Sequence, residues 1–449
     1  MDSEIFSRLS PAQLFVRCAV PSMVTMAFGS LYQIADGLFV GRFIGEDALA
    51  AINLIMPVFM IVFALSNMIA SGASVRISIL LGSGKREEAS AVFSFSIKMT
   101  IIISCVLGVL GLMFSEQFVR AIAPGASEQA VAYGVTYTKV YSAFAPLLLV
   151  YYATDNYMRL CGKSTASMWV NILTQTLNVV LDTIMIACLG KGVMAAAFTS
   201  CISIALGSVY TLWIFRGRRM DIYYTKQNIS ARSFFRIIFN GSSEFFSNIA
   251  ESIMSLILNF FLLKYGGTTA VAAFSVVMYI DGVFGMFMFG MCDSLQPAIS
   301  YCHGAGLRSR VRSLFRHILC WSIALSAVSM LFMIFAGPHL ARIFVKPGDT
   351  ELLAVSIAAM KLFSLSYLTG WVDACFSSYL TALERPGRSL IASLFGALIF
   401  PVTALFILTP KLQLTGIWIM PTVAGTASAI LTVILVLTMK RPRRRDILE

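Results

Sequence analysis

Ala48-Leu49-Ala50-Ala51 and Gly82-Ser83-Gly84 return 222 residues later as Ala270-Val271-Ala272-Ala273 and Gly304-Ala305-Gly306. The same offset pairs Lys139 with Lys361, Ser142 with Ser364 and Tyr157 with Tyr379. Gly162-Lys163-Ser164 then pairs with Gly387-Arg388-Ser389, which calls for three extra residues in the second copy. One offset held across four apolar runs marks a duplication, and the duplicated unit decides the fold.

Working outward from these landmarks, the chain reads as twelve apolar runs. They lie at about 14–40, 48–73, 92–114, 133–158, 168–188, 193–215, 237–263, 270–298, 314–337, 354–380, 390–409 and 416–438. A bilayer core needs about 20 such residues per helix. Composition agrees: of 449 residues 58% are apolar and 12% charged, and mean hydropathy is +0.82. Disorder and a large water-soluble enzyme are excluded. Nine scattered cysteines with no CxxC pair argue against a disulfide framework, a redox pair or zinc. The acidic N-terminus, Met1-Asp2-Ser3-Glu4, lacks the basic start of a cleaved signal peptide. The expected fold is an all-α polytopic membrane protein with twelve transmembrane helices in two six-helix parallel repeats. Its parts are 1–215, a cytoplasmic linker 216–236, and 237–449. Six is even, so both repeats start on one side and enclose a central cavity about an axis along the membrane normal.

Charge sets the orientation. With the N-terminus inside, 24 of the 34 Lys and Arg fall on inner segments, including Arg216, Arg218, Arg219, Arg308, Arg310, Arg312 and the tail from Lys440 to Arg445. Seven fall outside: Arg42, Arg120, Lys191, Lys264, Arg342, Lys346 and Lys411. Both termini are therefore expected in the cytoplasm of a cell-membrane protein. The formal charge of +12 is thus a topology signal, and no nucleic-acid partner is expected.

Acidic residues inside spans are expensive, and each is a functional hypothesis by default. Asp36, Asp155, Asp182, Glu244, Glu251, Asp281, Asp293 and Asp373 are such residues. The repeat does not reproduce them: Asp36 faces Leu258, Glu251 faces Gly29, Asp281 faces Phe59 and Asp373 faces Tyr151. The scaffold is shared and the chemistry divided. Depth singles out one set. Asp36 and Asp182 lie roughly 7 Å and 10 Å from the outer ends of their spans, and Thr199 roughly 10 Å below the outer start of its own. Asn178 shares a helix face with Asp182. Two carboxylates, an amide and a hydroxyl at one depth suit a monovalent cation, or a proton shared between the acids. A purely structural network would have little use for two costly aspartates. In the second half, Glu244, Asn248, Glu251 and Ser255 form one stripe on the seventh helix. Glu251 and Asp281 fall near the midplane and Asp373 lies nearer the inner side. Asp155 reads as a local ion pair with Arg159, and Lys139 and Lys361 as snorkelling residues.

The stretch Tyr32-Gln33-Ile34-Ala35-Asp36-Gly37-Leu38-Phe39-Val40-Gly41, with Gly45 and Ala48-Leu49-Ala50-Ala51 after it, strongly resembles the multidrug and toxic compound extrusion (MATE) family. So do Asn178-Val179-Val180-Leu181-Asp182 ahead of Gly192, Ala195-Ala196-Ala197 and Thr199, and Gln296-Pro297 before Gly304-Ala305-Gly306. The resemblance covers nearly the whole chain. It implies a V-shaped pair of six-helix lobes and cation-coupled efflux of organic, often cationic, compounds. It implies that Asp36, Asn178, Asp182 and Thr199 form the coupling site, a possible Na⁺ site, and that some branches also use the acids here numbered Glu251 and Asp373. Pro21 is placed to bend the first helix, while its repeat equivalent is Ser243.

The expectation is a non-enzymatic antiporter in the lipid bilayer, sufficient as a monomer. It exports small amphipathic organic cations in exchange for H⁺ or Na⁺ and needs no cofactor. Tyr32, Gln33, Asn156, Asn248, Glu251, Asp281 and Asp373 are its candidate cavity residues. The rival is a flippase for lipids or lipid-linked sugars, whose cavity would present Arg or Lys to phosphate. The buried charges here are acidic. An enzyme would need a cluster such as HExxH or GxSxG, and neither occurs in a suitable context.

Overall fold

A computed structural model describes residues 2–439 apart from Ala123, Pro124, Ala126, Arg218, Arg219, Asn228, Lys346 and Pro347. Arg218, Arg219, Lys346 and the basic tail from Lys440 therefore lie outside the described residues.

The described regular structure is helical throughout. The first helix is Pro11–Phe39, started by a reciprocal cap between Ser10 and Gln13, and it passes Pro21 without leaving helical geometry. A wide-turned i→i+5 segment, Val40–Ile44, prolongs it. The second, third and fourth helices are Glu46–Gly82, Arg86–Ile122 and Glu128–Leu160. The fifth is Ser164–Asp182, prolonged by a wide-turned segment Thr183–Cys188. The sixth is Val193–Arg216. One helical stretch, Ala231–Gly304, breaks only at Gly267 (φ 62°) and supplies the seventh and eighth. The ninth is Arg308–Phe335, followed by a short Gly337–Phe344. The tenth is Thr350–Ala382, interrupted by a tight turn at Ser364–Leu368. Pro386–Leu437 supplies the eleventh and twelfth, divided at Gln413 (φ 51°).

Nine helices among the described residues are long and apolar enough to cross a membrane by themselves. Two of these, Ala231–Gly304 and Pro386–Leu437, each hold two spans. Glu128–Leu160, diluted by Glu128, Lys139, Asp155, Arg159 and six tyrosines, completes the twelve. The helices overrun the apolar runs by up to about three turns, because helix formers such as Glu87, Glu88 and Ala89 extend them past the apolar stretch.

The third helix shows what packs these bundles. It buries Ala89, Ser90, Ala91, Ser94, Ser96, Thr100, Ser104 and Gly108, and it exposes Ile101, Ile102, Val106, Val109, Leu110 and Met113. Small and hydroxyl residues dominate the buried face, alongside Val92, Phe93 and Ile97, and large apolar ones dominate the exposed face, as expected where the solvent is lipid.

The duplication is repeated in backbone detail. Gly45 (φ 127°) and Gly267 (φ 62°) break the chain at equivalent points, as do Gly84 (φ 81°) and Gly306 (φ 75°). Ser127 caps the fourth helix through Ala130 N–H at 3.1 Å, and Asp349 caps the tenth through Leu352 N–H at 3.0 Å. The expected three-residue insertion is absent. Lys163 N–H bonds Met158 O and Arg385 N–H bonds Leu380 O, while Ser167 bonds Lys163 O and Ser389 bonds Arg385 O. The offset of 222 thus runs on through this turn, and Gly162 stands opposite Glu384 rather than Gly387. Both have positive φ, 76° and 55°. A glutamate holds a conformation that glycine adopts freely, which is why matching glycine to glycine misplaced the register.

The chain forms two compact units: Met1–Gly241 with Ser300–Ala305, and Ser242–Ile299 with Gly306–Glu449. In the first, the segment after the sixth helix is fastened to the third. Arg86 donates to Asp221 O at 2.8 Å and Met220 O at 2.7 Å. Ser94 Oγ accepts from Thr225 N–H at 2.9 Å, and Asp221 Oδ2 accepts from Ser3 N–H at 2.6 Å. The second unit packs around Leu262, Val277, Met333, Met360, Leu405 and Trp418.

Candidate functional site

The fifth helix is polar on its buried side. Ser164, Ser167, Asn171, Thr174, Asn178 and Asp182 are buried at spacings of three and four, one face of a helix. Trp169, Leu173, Val180 and Ile184 point outward. Such a helix places its hydrogen-bonding groups where lipid cannot reach them and obliges neighbouring helices to satisfy them.

At its far end Asp182 is fully buried. Thr199, from the sixth helix, donates to Asp182 Oδ1. The Asn178 amide, oriented so that both ends are paired, donates to Asp182 Oδ2 at 2.8 Å and accepts from Ser200 Oγ and N–H at 3.0 Å each. Tyr32 from the first helix lies 3.4 Å from Ser200 Oγ. The Asp36 carboxyl stands within hydrogen-bond reach of Asp182, and Asp36 Oδ1 is buried with no hydrogen-bond partner among the described residues. Asp36, Asn178, Asp182 and Thr199 are therefore brought together, from three helices. Ser200 was not expected; its only signal in the sequence is its place next to Thr199. The Asp36 and Asp182 helices continue into the two wide-turned segments, Val40–Ile44 and Thr183–Cys188, which pack against one another. Wide turns inside helices are frequent at functional sites. Two carboxylates this close need their repulsion relieved, by a shared proton or by a cation held among hard oxygens.

The other expected residues are dispersed. Asp155 makes its ion pair with Arg159 and also accepts from Ser167 and from Asn171 Nδ2 at 2.7 Å. Gln33 is exposed and Asn156 half-buried. In the second unit, Asp281 Oδ1 accepts from Tyr367 OH at 2.7 Å. Asp373 Oδ1 accepts from Ser428 at 3.0 Å and Thr432 at 3.3 Å. Asn248 and Glu251 are exposed on their unit, and Asn248 Nδ2 donates back to Glu244 O at 2.7 Å. Among the described residues no group of three or more His, Cys, Asp or Glu is arranged to hold a metal ion.

A family model described as MatE matches residues 21–184 and again residues 245–406, one match in each repeat. The multidrug export protein MepA of Staphylococcus saprophyticus is 25% identical over 443 residues, 97% of this chain and 95% of that protein. MepA of Staphylococcus aureus strain MSSA476 is 26% identical over 405 residues, 89% and 87% of the two chains. A crystal structure of MATE in complex with MaL6 superposes with a TM-score of 0.90 at 23% identity, covering 97% of this chain and 99% of that one. The outward-facing conformation of a multidrug resistance MATE family transporter of the MOP superfamily gives 0.88 at 24% identity, covering 96% and 98%. At these identities the structural likeness establishes the fold.

Proposed function

This chain belongs to the MatE family, and from that premise we propose that it is a secondary antiporter. It exports small amphipathic organic cations across the cell membrane in exchange for H⁺ or Na⁺, with both termini in the cytoplasm. The MepA relatives, which carry the name multidrug export protein, support the substrate class. The basic residues expected on inner segments support the orientation.

One observation carries the coupling site. Asp182 is supplied with donors by Thr199 and Asn178, whereas the neighbouring Asp36 Oδ1 has none among the described residues. A carboxylate whose oxygens are already hydrogen-bonded is a settled anion. An adjacent buried oxygen without a donor is where an incoming cation or proton gains most. In this reading the ion enters at Asp36, relieves its repulsion with Asp182, and lets the first, fifth and sixth helices repack. The ion drives transport only through its different affinity for the two resulting states. Drug binding falls to the acids outside this cluster, Glu251, Asp281 and Asp373, together with Tyr32, Gln33, Asn156 and Asn248.

The test is ethidium movement in inside-out vesicles under a pH gradient and, separately, a Na⁺ gradient. Transport driven by one gradient and lost in Asp36→Asn is the expected result. Undiminished transport in that variant, inserted and folded, overturns the assignment.

A further inference from the structure

The polar face of the fifth helix does not stop at the acid pair. It continues from Asp182 to Ser167, 15 residues and about 22 Å along the helix, toward the end that bears Lys163. The fourth and sixth helices line the same seam. Tyr151 OH donates to Asn171 Oδ1 at 3.0 Å. Thr154 and Thr211 hydroxyls lie 2.8 Å apart, and Gly207 lets the sixth helix approach Tyr151 and Thr174. Between the ends, Ser208 Oγ on the sixth helix is buried without a partner among the described residues. Buried polar atoms in that state are where internal water is held.

At the Lys163 end the seam meets the Asp155–Arg159 pair. Both side chains are nearly buried, 11% and 12% exposed, and Ser167 and Asn171 add two further donors to Asp155. The second repeat tells what this pair is not for. At the offset of 222, Asp155, Arg159, Ser167 and Asn171 correspond to Ser377, Thr381, Ser389 and Ser393. Those four join the same two helices with hydroxyls alone: Ser377 to Ser393 at 3.2 Å, in the places of Asp155 and Asn171, and Thr381 to Ser389 at 2.6 Å. The scaffold therefore closes without charges at this place. Farther along, Asn178 and Asp182 correspond to Phe400 and Ala404, so the uncharged copy is also the one that leads to no acid pair. A buried ion pair is a poor source of stability compared with uncharged packing.

We propose that this seam inside the first unit is the inward release route for the coupling ion, and that Asp155–Arg159 is its gate. The guanidinium sets a fixed positive charge at the mouth of a narrow polar path, an electrostatic barrier to protons and cations. Asp155 holds the guanidinium there. Movement of the fourth helix against the fifth, breaking the Ser167 and Asn171 bonds, lifts the barrier.

This rests on the antiport reading, and its test is separable from it. The double variant D155S/R159T installs the residues that the second repeat already uses, so folding is expected to survive. In liposomes without drug, an imposed pH or Na⁺ gradient should collapse several-fold faster than with the parent protein. Adding D36N should restore the slow rate. A correctly folded double variant as tight as the parent overturns the gate, and a leak indifferent to D36N overturns the route. Should the double variant fail to fold, Asn171→Leu plugs the seam below the acid pair. Exchange should then slow several-fold with ethidium binding unchanged, and unaltered exchange overturns the proposal. If the parent protein couples ethidium to neither gradient, the antiport reading itself fails, whichever way the drug-free leak comes out.

Discussion

Asp36 and Asp182 face each other with unequal supplies of hydrogen-bond donors: Asp182 accepts from Thr199 and Asn178, and the buried Asp36 Oδ1 from none among the described residues. Thr199→Val should move this balance. A hydrogen bond to a charged group is worth about 1.5–3 kcal/mol; without it the carboxylate is less settled, so the driving ion should bind roughly tenfold or more tightly, at 1.4 kcal/mol per decade. The half-saturating ion concentration for ethidium efflux measures it, and an unchanged value would remove Thr199 from the site.

Ser200→Ala should act more gently and through another residue. It removes the hydroxyl that pairs the far end of Asn178 and leaves the backbone N–H of residue 200 in place. A neutral hydrogen bond is worth about 0.5–1.5 kcal/mol. The ion affinity should rise by less than in Thr199→Val, and a loss of affinity would mean that Ser200 touches the ion directly.

Asp373 takes the repeat position of Tyr151 and is held by the hydroxyls of Ser428 and Thr432. If the units divide ion and drug between them, Asp373→Asn should weaken ethidium binding while leaving ion-induced fluorescence changes of the first unit in place. Equal damage to both would assign Asp373 to ion coupling.

Arg86 fastens the segment after the sixth helix through two carbonyl oxygens. Arg86→Gln should free that segment, and trypsin should then cut at Lys226 faster than in the parent protein. The comparison is a digestion time course in detergent, and equal rates would show that Ser94, with Ser90 accepting from Tyr223 N–H at 3.3 Å, suffices.

The turn at Gly162 and its counterpart at Glu384 test the register of the repeat. Gly162→Ala forces a side chain into the left-handed region and should cost about 1 kcal/mol. A lower midpoint in thermal unfolding is the expected sign. No shift would mean that the turn relaxes to another conformation.

The number of spans, the repeat and the cluster of Asp36, Asn178, Asp182 and Thr199 were legible because each depends on position along an axis. Twenty apolar residues measure a bilayer, one offset measures a duplication, and helix rise converts sequence distance into depth. What stayed illegible depends on direction across the axis or on backbone torsion. Depth alone grouped Glu251 with Asp281 near the midplane and set Asp373 nearer the inner side, but it could not show that Asp281 turns to Tyr367 and Asp373 to Ser428. Glu384 hid because a left-handed glutamate has no compositional sign. Ser200 hid because serine fills buried faces throughout these helices. Asp155 paired with Arg159 as expected, since four residues of one helix settle both depth and direction.

The two wide-turned segments beyond Asp36 and Asp182 bear on how such a site is altered over generations. A wide turn is an ordinary helix holding one surplus residue in a single loop of its spiral. Deleting one residue from Thr183–Cys188 should let the loop close into regular helix while the residues on either side keep their facing. Most single-residue deletions in a buried helix would instead turn everything beyond them by about 100°. Just past each acid, then, the chain holds a place where its length can change by one without rewriting the site, and descendants of this protein are free to lengthen or trim the loops beyond it.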